Sequence, residues 1–503
     1  MLRSSSSPLP STQVPSSPVA IETPQVPLGA AGVLRWKRAR HLFGHEWAPS
    51  ALLFLLDIVS WILIQRVTSL LRGDEYFSSP FVFFVLDVLQ VSVLLIALFT
   101  VGGYNRTTEM RGLAYTAEHI FAVISAVVVS SCLIYSAATF DQTMKPSRSV
   151  ILVSFAVFLP VSLCYRRWIR GRVAARIANR AYLVIGSGEM ARQFYEEYRK
   201  SPNRQRLEFV DLAHERVGSH ICGPGSPTVE SDLETKLDRL DGNYSGIILA
   251  EEIGRIPAGL VERLVRTQFQ RTRVYTIESF YESQWRYVPL DAIDPVWPLQ
   301  TGFQLARISP YHYLKRLCDL FASMVGLVIF APFFLLCAAL VFFESGRLVL
   351  YSQKRIGRAG RQFTFYKFRT MTTHAESESD DIYTRPNDPR ITRSGKLLRK
   401  LRLDELPQLW NVFKGEMSLI GPRAEWVKCA RRYETQIPFY HFRHLVKPGI
   451  TGWAQVNYPY GESEADAIEK LKYDLYYIRR YSLKLDAMIA LKTLHVMLFL
   501  RGR

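Results

Sequence analysis

Two acidic residues stand side by side, Asp404 and Glu405, in a strongly basic stretch of this 503-residue chain. Arg399, Lys400 and Arg402 precede them and Arg423 follows. Cations in that number favour ionised carboxylates, and they also hold phosphates, arginine through paired hydrogen bonds. Two neighbouring carboxylates and a diphosphate are the usual ligand set of Mg2+, which keeps several waters and leans on substrate oxygens. Such a carboxylate can also attack phosphorus to give an acyl phosphate. The competing reading is that Asp-Glu before an apolar run supplies only negative charge at a helix N-terminus. The surrounding arginines argue against it, as do the dense polar segments at 353–357, 365–371, 388–392, 414–423 and 447–457.

A second pattern lies upstream. Residues 186–191 read Gly-Ser-Gly-Glu-Met-Ala after an apolar run, a turn in which Gly186 and Gly188 can bring backbone amides to a pyrophosphate. Asp211 is placed to end a second strand. The turn alone is weak evidence, and a Rossmann-like scaffold that kept only its turn is the favoured reading.

These residues need elements to position them. Lysine and arginine number 63 against 45 aspartate and glutamate, for a net charge of +18, with a mean hydropathy of +0.03. A chain so charged reaches that hydropathy only if its apolar residues are concentrated in blocks, which excludes a disordered or fibrous protein and argues against a wholly soluble one. The charge divides as +8 over 1–180, −3 over 181–310 and +13 over 311–503. No zinc-finger, homeodomain or aromatic RNA-binding signature accompanies the basic excess, so nucleic acid is not the expected partner. Six cysteines show no CxxC spacing. Four of them, Cys132, Cys164, Cys318 and Cys337, lie in apolar stretches and are expected to be buried free thiols.

Residues 1–34, rich in serine and proline, read as a disordered tail. The region 35–180 holds four apolar blocks near 49–70, 80–101, 114–138 and 149–168, each close to the ~20 residues that span a hydrocarbon core. Basic residues at 35–40, Arg106, Arg111 and the six arginines at 166–180 put the N-terminus and everything after the fourth block on the inner side. Asp57 and Asp87 fall inside spans and are expected to serve helix–helix contact or to lie at the interface. Strands at 181–186, 244–250 and 273–277, with a helix near 257–269, give residues 181–305 a Rossmann-like α/β organisation. Residues 306–503 form the module that carries the carboxylate pair, with a fifth apolar run from 317 to 343. Lys315 and Arg316 precede that run and Arg347, Lys354 and Arg355 follow it, so positive-inside logic resists sending either end outward. Pro332 lies near its middle. A helix over 315–343 that breaks at Ala331–Pro332 and returns to the same face satisfies both facts. The end of the chain, 485–500, reads as an interfacial helix, with internal packing the alternative.

Taken together, these motifs closely resemble the bacterial sugar transferase family, the polyprenyl-phosphate sugar-1-phosphate transferases. The likeness is densest over 310–503 and, through the four spans and the middle domain, extends over about 35–503. It implies a membrane protein with a four-helix transmembrane bundle, a Rossmann-like α/β domain and a mostly α-helical catalytic domain with a re-entrant membrane helix. It also implies transfer of a hexose 1-phosphate, glucose or galactose, from a UDP-sugar to undecaprenyl phosphate at the cytoplasmic face of the inner membrane. UMP would be released, in the first step of exopolysaccharide, capsule or O-antigen synthesis. Asp404 matches the family's nucleophile and Glu405 its partner in metal and proton handling, with Mg2+ as the cofactor. Arg399 and Arg423 match phosphate-binding arginines, and Lys400, Lys367 and Arg369 complete that set. Lys315, Arg316, Asp319 and Pro332 belong to the re-entrant helix. Two departures touch that helix: Ala331 stands where serine usually precedes the proline, and Glu344-Ser-Gly-Arg347 replaces the common Ser-Pro-Gly-Pro. The expected partners are undecaprenyl phosphate, a UDP-hexose and anionic lipids, and a homodimer is compatible with the sequence. A membrane-anchored oxidoreductase or epimerase using the Gly186 turn, and a non-catalytic polysaccharide assembly protein, are the alternatives. The former lacks a Tyr-x-x-x-Lys pair in the middle domain, 181–305.

Overall fold

The computed structural model describes residues 47–498 apart from 74–79, 106–107, 109, 111, 141–146, 179, 202–203, 213–215, 231–232, 239–243, 252, 271, 291–292, 294–302, 304–308, 373–387, 389, 460 and 462. The tail 1–34, the basic cluster at 35–40, and Arg106, Arg111 and Lys145 lie outside the described residues. The chain divides into a unit Met1–Pro49 and a unit Ser50–Arg503, and the second holds everything that follows.

The four apolar blocks form helices α1 (Ala48–Arg72), α2 (Pro80–Thr100), α3 (Leu113–Ala137) and α4 (Arg148–Ala178). Among the described residues three stretches, Ala48–Arg72, Tyr115–Ala137 and Arg148–Val173, are each long and apolar enough to cross a membrane, and a bent pair downstream makes a fourth only if it is taken as one span. Trp61, Leu94, Ala122 and Phe158, one from each helix, are fully buried in a shared cluster. Their outer faces still expose Leu63, Ile96, Val128 and Leu152. Apolar residues on both the inside and the outside of a helix group mark a surface that something other than water covers. The cysteines follow from this. Cys337 is buried as expected, but Cys132, Cys164 and Cys318 lie exposed on helix faces, because the apolar character of those stretches serves an outer surface and not a core.

Several polar side chains inside the helices pair across them, Thr68 with Ser154 and His119 with Ser162 among them. Asp57 on α1 is fully buried, and its two oxygens accept from Arg166 Nη1 and Nη2 on α4 at 2.7 and 2.6 Å. The hydroxyls of Tyr104 and Tyr165 donate to the same carboxylate. Asp57 therefore makes the expected helix–helix contact.

Past α4 the pattern changes to alternating strands and helices. Strands β1 (Ala181–Ile185), β2 (Arg206–Val210), β3 (Val229–Glu230), β4 (Tyr244–Leu249) and β5 (Val274–Thr276) form one parallel sheet in the order β3-β2-β1-β4-β5. Helix α5 (Glu189–Tyr198) follows β1, and α6 (Ala258–Gln270) precedes β5. Every residue of β1 is buried, as its central place requires.

The remaining module is mostly helical. It opens with α7 (Tyr311–Ile329) and α8 (Ala331–Ser345), bent by 62° at a one-residue break. Pro332 does not kink a single helix. It sits in the first turn of α8, where its missing N–H has no intrahelical partner to lose. The hairpin β6 (Leu350–Ile356) and β7 (Gln362–Phe368) follows, then α9 (Arg393–Lys400), α10 (Gln408–Lys414), β8 (Ser418–Ile420), α11 (Val427–Gln436), β9 (Gly449–Thr451), α12 (Trp453–Asn457), α13 (Glu464–Arg479) and α14 (Leu483–Leu498). Strands β8 and β9 pair in parallel. The last helix is packed internally and not laid on an interface: Leu485, Met488 and Ile489 are buried in the module's core, and Leu491 packs against the core of α1–α4.

The Asp57–Arg166 pair is testable. Arg166→Met leaves a buried carboxylate without its counter-ion and should cost about 3–5 kcal/mol, read as a lower thermal midpoint in detergent. Asp57→Asn combined with Arg166→Met should recover most of the loss. A double variant no more stable than the single one would assign neutralisation of Asp57 to the two tyrosines instead.

Candidate active site

Asp404 and Glu405 close a 3-10 turn, Leu403–Glu405, between α9 and α10. The turn is entered through Arg402, whose φ of +58° is left-handed, a sparsely used region for a residue with a side chain. That reversal ends α9 and aims the two carboxylates. The apolar neighbours of the pair, Leu403 and Leu406, pack against a buried cluster of Cys337, Val341, Phe368 and Leu398. Cys337 and Val341 belong to α8, so the carboxylate turn sits directly on the second leg of the bent apolar pair.

The electrostatics separate the two acids. Burial and then the Glu405 charge push the Asp404 pKa up, against the opposing cations Lys367, Arg399 and Arg402. Burial also disfavours ionised Glu405, but the Arg423 and Arg402 guanidiniums outweigh it and hold that carboxyl below the ordinary carboxylate range. Glu405 Oε1 lies 3.3 Å from Arg423 Nη2 and 3.8 Å from Arg402 Nη1. Asp404, 8% exposed, accepts no side-chain hydrogen bond and forms no ion pair among the described residues. Glu405 is thus the more acidic member of the pair and Asp404 the more basic.

Each cation is set by its own element. Arg399 is buried in the last turn of α9 and donates from Nε to Thr370 Oγ1 at 2.9 Å. At the other end of α9, Glu344 from the end of α8 accepts from the Arg393 and Ser394 amides, both at 2.7 Å. The unusual glutamate of that loop is therefore a helix cap. Lys367 lies on β7 with its ammonium 4.9 Å from the Tyr351 ring. Burial, then Arg355 and Arg399, lower its pKa to about 8, with Asp404 opposing. Asn411 holds β7 against α10, donating to the Thr364 carbonyl at 2.7 Å and accepting from the Tyr366 amide at 3.2 Å. Arg423 follows β8 and bridges Gly449, whose amide donates to the Pro422 carbonyl at 2.8 Å. A Cβ at Gly449 would come within 2.1 Å of the Gly421 nitrogen, so only glycine allows these backbones to meet.

Two other expected phosphate ligands are less enclosed. Lys400 is exposed, and Arg369 donates from Nε to the Leu348 carbonyl at 3.0 Å. Two further arginines lie near the site, Arg355 from the polar segment 353–357 and Arg443 from outside the segments singled out above. Arg355 lies 4.1 Å over the Phe365 ring, and burial followed by the Arg423 charge lowers its pKa to about 10. Arg443 is buried beside Asp474 at 2.8 Å and donates to the Arg423 carbonyl at 3.2 Å, fixing the backbone that carries Arg423.

The residues opening α7 dock it to this module. Lys315 pairs with Asp486 of α14, which also accepts from Tyr311 and Tyr477. Arg316 donates to the carbonyls of Val412 and Phe413 at 2.7 and 2.8 Å, at the C-terminal end of α10 where cations are favoured. Asp319 Oδ1 accepts from Ser418 Oγ at 3.1 Å and the Leu419 amide at 3.0 Å.

The upstream turn is engaged by its own loop. Gly186, at φ +122°, could not carry a Cβ, which would lie 2.4 Å from the Ala250 carbonyl oxygen. Gly188 faces open space. Asp211 directly follows β2, accepting from the Arg216 amide at 2.9 Å, while Arg216 Nη1 donates to the Ser187 carbonyl at 3.0 Å. The need for Gly186 is therefore met by strand packing alone.

Among the described residues no three acidic, histidine or cysteine groups converge on a metal site, and the adjacent carboxylates Asp404 and Glu405 are the two oxygen donors that a Mg2+ ion bound mainly through substrate phosphates would use.

Residues 310–500 match the family model described as bacterial sugar transferase. The UDP-N-acetylgalactosamine-undecaprenyl-phosphate N-acetylgalactosaminephosphotransferase of Aeromonas hydrophila is 31% identical over 84% of this chain and 95% of its own length. The UDP-glucose:undecaprenyl-phosphate glucose-1-phosphate transferase of Escherichia coli is 40% identical over 73% of this chain and 78% of its own. The protein of the same name from Klebsiella pneumoniae is 42% identical over 52% and 56%. With the likeness running through almost the whole length of one such relative, this chain belongs to the bacterial sugar transferase family of enzymes.

Proposed function

We propose that the chain transfers a hexose 1-phosphate, glucose or galactose, from a UDP-sugar to undecaprenyl phosphate and releases UMP. The step would open exopolysaccharide, capsule or O-antigen synthesis. The observation that carries this reading is the seat of the Asp404–Glu405 turn. It lies on an apolar helix and under a ring of cations, so a lipid-borne phosphate and a soluble nucleotide sugar can meet at one carboxylate. The printed activities of the relatives agree.

In the first half-reaction an Asp404 oxygen attacks the sugar-bearing phosphorus. The phosphorus–oxygen bond to UMP breaks, UMP leaves, and the sugar phosphate stays on Asp404. In the second, an oxygen of undecaprenyl phosphate attacks the same phosphorus and expels the Asp404 carboxylate, giving the lipid diphosphate sugar. The raised basicity of Asp404 makes it the better nucleophile of the pair. Arg399, Arg423 and Lys367 hold phosphate oxygens, and Glu405, with Asp404, would hold a Mg2+ ion. Mg2+ held by these two would neutralise diphosphate charge. Lys400 and Arg369 are left to the periphery of the phosphate path.

We read helices α1–α4 as a transmembrane bundle, the parallel sheet as a Rossmann-like scaffold that kept its turn, and α7–α8 as a re-entrant pair. This reading puts the catalytic module on the cytoplasmic face of the inner membrane. The charge distribution supports it, since both flanks of the bent pair are basic. Anionic lipids would add about 1 kcal/mol for each basic residue near the surface.

Asp404→Asn should abolish UMP release from a panel of UDP-hexoses while leaving the protein in the membrane. Near-wild-type turnover would remove Asp404 as the nucleophile. EDTA should silence the wild-type protein and added Mg2+ should restore it; full activity under chelation would exclude the metal. Cysteines introduced at Ser309 and Ser352 should both resist a membrane-impermeant maleimide in intact cells, and labelling of only one would mean that the pair crosses.

A further inference from the structure

Helix α14 touches both the N-terminal apolar helices and the backbone of the candidate active site. On one side Lys484 lies 3.9 Å from the Phe99 ring of α2, and Lys492 Nζ lies 3.8 Å from Glu118 Oε1 of α3. On the other, the same Lys492 ammonium donates to Asn457 Oδ1 at 3.0 Å and stands 5.0 Å from the Trp453 ring, both on α12. The next residue, Thr493, shares a 2.7 Å hydroxyl hydrogen bond with Thr451 of β9. The Thr451 carbonyl in turn accepts from the Gly421 amide at 2.8 Å, two residues before Arg423, the arginine on Glu405.

A lysine here is costly. Burial lowers the Lys492 pKa, and apolar packing would anchor α14 to α3 without that cost. An apolar contact, however, has no fixed direction. A charged group held between a carboxylate, an amide oxygen and an indole face defines one relative placement of three elements.

We infer that Lys492 is a positioning residue through which the N-terminal apolar helices set the placement of Arg423 against the Asp404–Glu405 turn. The helices before residue 180 then contribute to the transfer step itself and not only to anchoring. This rests on the reaction proposed above. Glu118, Lys492 and the Thr493–Thr451 contact form the connection, and the carboxylates receive its effect through Arg423.

The test is a charge-swap cycle in the full chain, with UMP release as the kinetic readout. Lys492→Glu and Glu118→Lys should each lower kcat roughly tenfold, within the span of coupling effects at a distance, and leave the KM for the UDP-sugar near its wild-type value. The double swap, Glu118→Lys with Lys492→Glu, should return kcat to within a few-fold of wild type, which a general packing defect would not do. Lys492→Arg should be close to wild type. Single variants with normal kcat, or a double swap no better than the singles, would overturn the inference. Hydrogen exchange decides it independently of the reaction. Lys492→Met should lose amide protection at 418–423, and unchanged protection there would also overturn it. Wild-type protein that releases no UMP from any UDP-hexose would instead defeat the proposed reaction, with the exchange measurement still standing.

Discussion

Two carboxylates on consecutive residues of one buried turn repel each other, and burial raises the cost of ionising either. The rest of the module is arranged around that difficulty. Arg423 and Arg402 commit to Glu405, which takes the first negative charge, and Asp404 is left more basic and without a side-chain partner among the described residues. Since the charges belong to a coupled pair, a change at Arg423 alters the ionisation of both acids. That explains the care with which Arg423 is held: glycines let β8 and β9 approach to backbone contact, and buried Arg443 grips the Arg423 carbonyl from behind.

The bent helix pair is the second organising feature. Its first leg is fixed to the module at three levels, by Lys315 on Asp486, Arg316 on the end of α10, and Asp319 on the start of β8. Its second leg forms the floor beneath the carboxylate turn. The outward faces of both legs remain apolar, with Leu317, Phe321, Val328 and Leu335 exposed. One pair of helices thereby faces an apolar medium on one side and supports charged chemistry on the other.

Much of this is legible in the sequence, and the boundary has a physical cause. The carboxylate pair, Arg399 and Arg423 stand out because residue type and local spacing suffice to suggest phosphate chemistry. The apolar helices follow from hydropathy over about 20 residues, and the parallel strands from short apolar runs between turns. What escapes depends on partners far along the chain. Asp57 meets Arg166 across 109 residues, and Lys315 meets Asp486 across 171. Arg443 shows no motif, and the place of Arg355 within its polar segment does not reveal its role, because both roles come from burial and contact. Lys315 and Arg316 look like lipid-facing cations from their position before an apolar run, yet the fold spends them on docking. Apolar stretches carry a similar ambiguity, since hydropathy alone does not separate a core from an outer surface, and the exposed cysteines show the outcome.

Glu344 ends α8 and caps α9, while the last turn of α9 carries Arg399 and the turn after it carries Asp404. The helix beneath the turn, Arg399 and the carboxylate pair are therefore joined through α9 into one continuous set of contacts. On the function proposed above, a bilayer that thins, thickens or undulates would move that set together, changing the depth of Arg399 and Asp404 more than their separation. What the membrane would modulate is then how readily the lipid phosphate reaches them.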